Sequence, residues 1–197
     1  MVISENQVIS QSSVEDPITL LEGISVQGSV ESGVYSGNEI LFTGENHTQS
    51  YGIHLDRFTP EVGNVYHGEN VENNVIVLYQ NSAESPALPG DGIWIEQREH
   101  CNVLGNNIKF GGTLTGPGAA IRLDGTITNQ HMAVNSNIIY LVNGNEVGIL
   151  AASTGVPTMT GAVYANTIKT NGGTGLSGIP AAPTVVGGTT TENYVAA

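Results

Sequence analysis

The chain has 197 residues, enough for one domain of ordinary size, and its formal net charge is −13, from 18 Asp and Glu against 5 Lys and Arg. So acidic a field repels phosphate backbones and anionic membrane surfaces, which argues against nucleic-acid and membrane partners; no apolar run reaches membrane-spanning length. Hydrophobic residues at 39% can fill a core, 26 glycines favour a turn-rich β architecture, and a single cysteine, Cys101, excludes an intrachain disulfide.

Residues 1–22 read as a cap and arm. Val2-Ile3-Ser4 and Val8-Ile9-Ser10 echo each other and suit an extended arm. Asp16-Pro17 ahead of Ile18-Thr19-Leu20-Leu21-Glu22 has the form of an N-cap with proline at the first helical position, so a short helix is expected there. The N-terminus carries neither a basic n-region nor an apolar core of signal-peptide length, so synthesis in a cytoplasm is expected.

From residue 23 to 178 two phrases alternate. Gly-Ile-x-apolar occurs at Gly23-Ile24-Ser25-Val26, Gly52-Ile53-His54-Leu55 and Gly92-Ile93-Trp94-Ile95, then as Ala120-Ile121-Arg122-Leu123 and Gly148-Ile149-Leu150-Ala151. Gly175-Leu176-Ser177 opens one more copy. Val-x-x-Asn-x-Ile occurs from Val71, Val103, Val134 and Val163, and Val34 to Ile40 is a looser copy with one residue more. The spacing is about 30 residues, except for a longer step caused by an inserted loop at Asn81 to Asp91. Short segments alternating with period two, such as Gly92 to Gln97, are strands with one apolar side. Strands repeating at this period form a parallel solenoid, because a single coil cannot bury its apolar face without neighbours.

Equivalent positions then stack about 4.8 Å apart. Ile24, Ile53, Ile93, Ile121 and Ile149 form one interior column, and Val26, Leu55, Ile95, Leu123 and Ala151 form another. Asn38, Asn74, Asn106, Asn137 and Asn166 form an asparagine ladder at a bend, and Cys101 is expected to be an inert core thiol. Residues 179–197 lose the repeat and turn to Pro, Gly and Thr, which reads as an extended C-terminal tail.

The repeated Asn-x-Ile coils resemble the right-handed parallel β-helix (pectate-lyase-like) superfamily over residues 23–178, and the expected synthesis without a secretion signal adds a similarity to phage tailspike and decoration proteins. The resemblance implies an all-β, right-handed solenoid of about five coils and a homotrimer. It also implies a virion structural protein of a phage-like virus, a capsid decoration or tail appendage. Such a protein is made in the host cytoplasm and displayed on the virion surface. Other virion proteins and host-surface polysaccharide are its expected partners.

The outward positions of the Gly-Ile phrase hold the candidate chemistry. One column runs Ser25, His54, Trp94, Arg122, Leu150, and the next runs Gln27, Asp56, Glu96, Asp124, Ala152. Acids on adjacent coils lie about 5 Å apart, the spacing of a retaining glycosidase pair, and two coils give the inverting spacing. If the chain is an enzyme, a polysaccharide hydrolase or lyase, then Asp56, Glu96 and Asp124 are the catalytic acids. Trp94 is then a sugar platform, with Arg122 and His54 as glycan contacts. A non-catalytic glycan-binding module could use the same face. The plainer expectation is a polar, solvated face with Arg122 paired to Asp124 or Glu96. Ca²⁺ bridging of the three acids is chemically allowed without a loop signature, so neither metal nor cofactor is expected.

Overall fold

The computed structural model describes residues 1–12, 20–27, 32–44, 50–56, 68–80, 90–96, 100–112, 118–125, 130–142, 144–153, 159–178, 186–187 and 193–196. Each coil contributes three strands. The first has β1 (Val2–Ser4), β2 (Gln7–Ser12) and β3 (Leu21–Gln27), and the second β4 (Gly33–Ser36), β5 (Glu39–Gly44) and β6 (Ser50–Asp56). The third has β7 (Glu69–Glu72), β8 (Val75–Gln80) and β9 (Asp91–Glu96). The fourth has β10 (His100–Leu104), β11 (Asn107–Gly112) and β12 (Ala119–Gly125). The fifth has β13 (Gln130–Asn135), β14 (Ile138–Leu141) and β15 (Val147–Ser153), and the sixth β16 (Met159–Tyr164), β17 (Thr167–Lys169) and β18 (Thr174–Ser177). β19 (Val186–Gly187) and β20 (Tyr194–Ala196) begin a seventh.

Strands at the same place in successive coils pair in parallel. Sheet 1 runs β1-β4-β7-β10-β13-β16-β19, sheet 2 runs β2-β5-β8-β11-β14-β17-β20, and sheet 3 runs β3-β6-β9-β12-β15-β18. The expected fold class, an all-β parallel solenoid, is the one observed, and among the described residues there is no helix. The stack exceeds about five coils because both chain ends join it. β1 and β2 pair with β4 and β5, and β20 pairs with β17. The expected helix falls mostly on residues outside those described, and its last two, Leu21 and Glu22, open β3.

The interior is built of apolar columns. Ile24, Ile53, Ile93, Ile121, Ile149 and Leu176 pair in sequence along sheet 3, as do Val26, Leu55, Ile95, Leu123 and Ala151. Facing them, sheet 2 offers Val8, Ile40, Ile76, Ile108, Ile139, Ile168 and Val195. Sheet 1 closes the core with Ile3, Tyr35, Val71, Val103, Val134 and Val163. Tyr35 thus occupies the valine position itself, so the second coil has no extra residue as the sequence suggested. Cys101 lies in this core with its thiol buried.

Between sheets 1 and 2 the first six coils turn through the same two positions. Glu5, Gly37, Asn73, Gly105, Ser136 and Ala165 take left-handed backbone, with φ between 55° and 65°. Glycine supplies the freedom at Gly37 and Gly105, whereas Glu5, Asn73, Ser136 and Ala165 adopt it with a side chain, and in all six an asparagine follows. The asparagine amide donates to the side-chain oxygen of the next coil's asparagine, at 2.7–3.0 Å from Asn6 through Asn38, Asn74, Asn106, Asn137 and Asn166 to Asn193. From Asn38 onward it also donates to the previous coil's carbonyl, as Asn106 does to Val71 O at 2.9 Å. The ladder therefore has seven rungs among the described residues, two more than the five expected.

Candidate functional site

The outer side of sheet 3 gathers a cluster of aromatic and charged groups. Three columns form it. Ser25, His54, Trp94, Arg122 and Leu150 stand in register, as expected. Asp124 pairs with Glu96, and Asp56 holds the equivalent place on β6. A third column, missed by the sequence reading, runs Glu22, Tyr51, Asp91, Ala119 and Val147. These residues precede the glycine of each Gly-Ile phrase, or Ala120 in the fourth coil, so the signal was present but lay outside the strict alternation. Asp91, assigned from the sequence to the inserted loop, is instead the first residue of β9; residues 81–89 of that loop lie outside those described.

The aromatic groups stack along the solenoid axis. The His54 ring lies parallel to Trp94, with centroids 4.3 Å apart and planes within 3°. Tyr51 packs at 5.0 Å against both rings. From the next coil the Arg122 guanidinium carbon lies 5.2 Å from the Trp94 ring centre. Since β9 sits between β6 and β12, Trp94 has an imidazole on one face and a guanidinium on the other. A sugar ring would find both faces covered.

The acids divide into two groups. Asp124 Oδ2 accepts hydrogen bonds from Trp94 Nε1 at 2.8 Å and Arg122 Nε at 3.1 Å. That is the Arg122–Asp124 pairing the plainer reading of the sequence expected. Asp56 and Glu96 instead cluster with His54, with one ligand atom from each lying within 4.8 Å of the others. The sequence grouped Asp56, Glu96 and Asp124 as one acidic set; the structure replaces Asp124 by a histidine.

Asp91 is 2% exposed, and its carboxylate accepts the Ala119 backbone N–H at 2.9 Å and faces Arg122 Nη1 at 3.7 Å. Burial pushes its pKa up to about 6, against the opposing pull of Arg122 and the Ala119 N–H. The folded protein thus holds this proton at pH values where the unfolded chain, with an ordinary carboxyl near 4, has released it. Stability from Asp91 is complete below about pH 4 and is lost as pH rises through about 6. Asp91→Asn is expected to remove this descent, so that the stability difference between variant and wild type grows from pH 4.5 to pH 7 in urea titrations. Parallel profiles for the two proteins would contradict it.

No protein-family model, curated protein or solved structure matches the chain.

Proposed function

We propose that the chain is a structural, self-associating β-solenoid of the virion decoration or tail-appendage class that its sequence resembles, and that it assembles as a homotrimer. The observation that carries this reading is the outer face of sheet 2. On it Ile9, Val75, Ile138, Tyr140 and Tyr194 are 53%, 43%, 56%, 38% and 69% exposed. Such residues, found on this one face in four of its seven coils, suit burial against another surface better than contact with water.

Charge points to a second copy as the occupant. The molecule carries −13, yet two of its five cations, Lys109 and Lys169, project from this face, where they lie over Tyr79 and Tyr140 at 5.8 and 5.2 Å. A face of exposed apolar residues with two cations against one acid, Glu39, complements the acidic remainder of a neighbouring chain. Assembly with other virion proteins, and contact with host polysaccharide through the particle, follow from the same reading. A glycan enzyme gains less support, because Trp94 is covered on both faces and Asp124 is engaged by Arg122 and Trp94.

Light scattering on a sizing column tests the proposal. The expected mass is three times that of one chain, falling to one chain in Ile138→Asp with an unchanged circular dichroism spectrum. A wild-type protein that stays monomeric at all loading concentrations would overturn it.

A further inference from the structure

His54 is 7% exposed, yet its Nε2 is buried without a hydrogen-bond partner. A buried polar nitrogen left in this state costs free energy unless something meets it. The other ring nitrogen is accounted for: Nδ1 lies 2.8 Å from Glu22 Oε1. An ionised carboxylate only accepts, so Nδ1 carries a hydrogen, and in the neutral ring this tautomer puts the lone pair on Nε2. Stacking on Trp94 and packing against Tyr51 fix the plane of the ring.

Nε2 points into the acid pair. Asp56 Oδ1 lies 3.9 Å from it, and Glu96, on the next coil, completes the cluster within 4.8 Å. From these observations we propose that His54 Nε2, Asp56 and Glu96 bind a first-row divalent transition ion of the zinc class. A tetrahedral ion held at about 2.0–2.1 Å from its ligands sets them roughly 3.4 Å apart, so small side-chain rotations of the two partly exposed acids close the site. Solvent supplies the fourth position. Glu22 is the outer-shell carboxylate that orients a metal-bound histidine and raises its basicity.

The ligand set also fixes the class of ion. An imidazole nitrogen with two carboxylates suits zinc and its neighbours, whereas Ca²⁺ takes six to eight oxygens. Among the described residues, Arg122 lies on the far side of Trp94 and is held by Asp124 and Asp91, so its charge is directed away from the site. The bound ion ties β6 to β9 and hence the second coil to the third.

The full-length protein, stripped with chelator, provides the test. Zn²⁺ titrated by calorimetry is expected to bind at one ion per chain with a micromolar or tighter dissociation constant. Co²⁺ at the same site should quench the fluorescence of Trp94, the single tryptophan, which stacks on the ligand ring. The double variant Asp56→Asn, Glu96→Gln alters only partly exposed side chains and should stay folded by circular dichroism while losing affinity at least 100-fold. Glu22→Gln should weaken binding about tenfold, as removal of an outer-shell partner does. Millimolar Ca²⁺ should not compete. Zn²⁺ uptake or Co²⁺ quenching that is unchanged in the folded double variant would overturn the proposal, as would the absence of either in the wild type.

Discussion

Asn106→Leu is expected to destabilise the protein by about 3–5 kcal/mol, although leucine is close to asparagine in size and the site is fully buried. The Asn106 side chain donates to Val71 O and to Asn137 Oδ1, both at 2.9 Å. Its oxygen accepts from Asn74 N at 3.0 Å and Asn74 Nδ2 at 2.9 Å. Leucine removes all four bonds and leaves the Asn74 N–H and Val71 carbonyl to find other partners in a dry interior. Each such buried group costs about 1–3 kcal/mol. For a chain of this length the melting temperature should fall by roughly 10 °C. Asn102→Ala is the control, because Asn102 donates to Asn70 on the exposed face at 2.9 Å. That change should move stability by about 0.5 kcal/mol or less. If the two variants melted alike, the ladder would be a consequence of the coil and not a support for it.

The ladder also marks what the sequence could and could not reveal. Five of its asparagines were legible because Val-x-x-Asn-x-Ile surrounds them. The terminal two were not, since Asn6 is followed by Gln7-Val8 and Asn193 by Tyr194-Val195, with valine where the phrase has isoleucine. Valine fills the same interior position, as the pairing of Val8 with Ile40 and of Val195 with Ile168 shows. Tyr35 likewise stands in for a valine, and its hydroxyl reaches Glu69 at 3.2 Å inside the core. Interior columns are readable because stacking demands like residues in every coil. The outer cluster was readable only in part. Its columns follow from alternation, but which acid meets which cation depends on side-chain reach across coils. Asp124 turns to Trp94 and Arg122, while Asp56 and Glu96 converge on His54.

Gly92→Val is expected to cost about 3 kcal/mol or more, and the reason explains the second phrase of the repeat. Both the glycine and the following isoleucine of each Gly-Ile pair face the interior, so period-two alternation breaks at this point of sheet 3. A β-carbon on Gly23 would lie 2.5 Å from the Gly52 carbonyl oxygen and 2.8 Å from Ile40 Cγ2; one on Gly148 would lie 2.5 Å from Gly175 O and 2.8 Å from Ile168 Cγ2. On Gly92 it would clash with the Ala120 carbonyl oxygen and approach Ile108 Cγ2 to 3.0 Å. The neighbour that must give way is backbone in the adjacent coil, and that backbone is held by parallel pairing on both sides. Ala120 occupies the same column, so a single methyl is tolerated there and Gly92→Ala should be the milder change. Valine adds two more carbons between sheets 2 and 3, where the ladder isoleucines already fill the space. Urea titration of both variants checks this, with the midpoint expected to fall further for valine than for alanine. A valine variant as stable as the wild type would mean that the coils can separate locally. Recurrence of Gly-Ile would then reflect something other than the close approach of the two sheets.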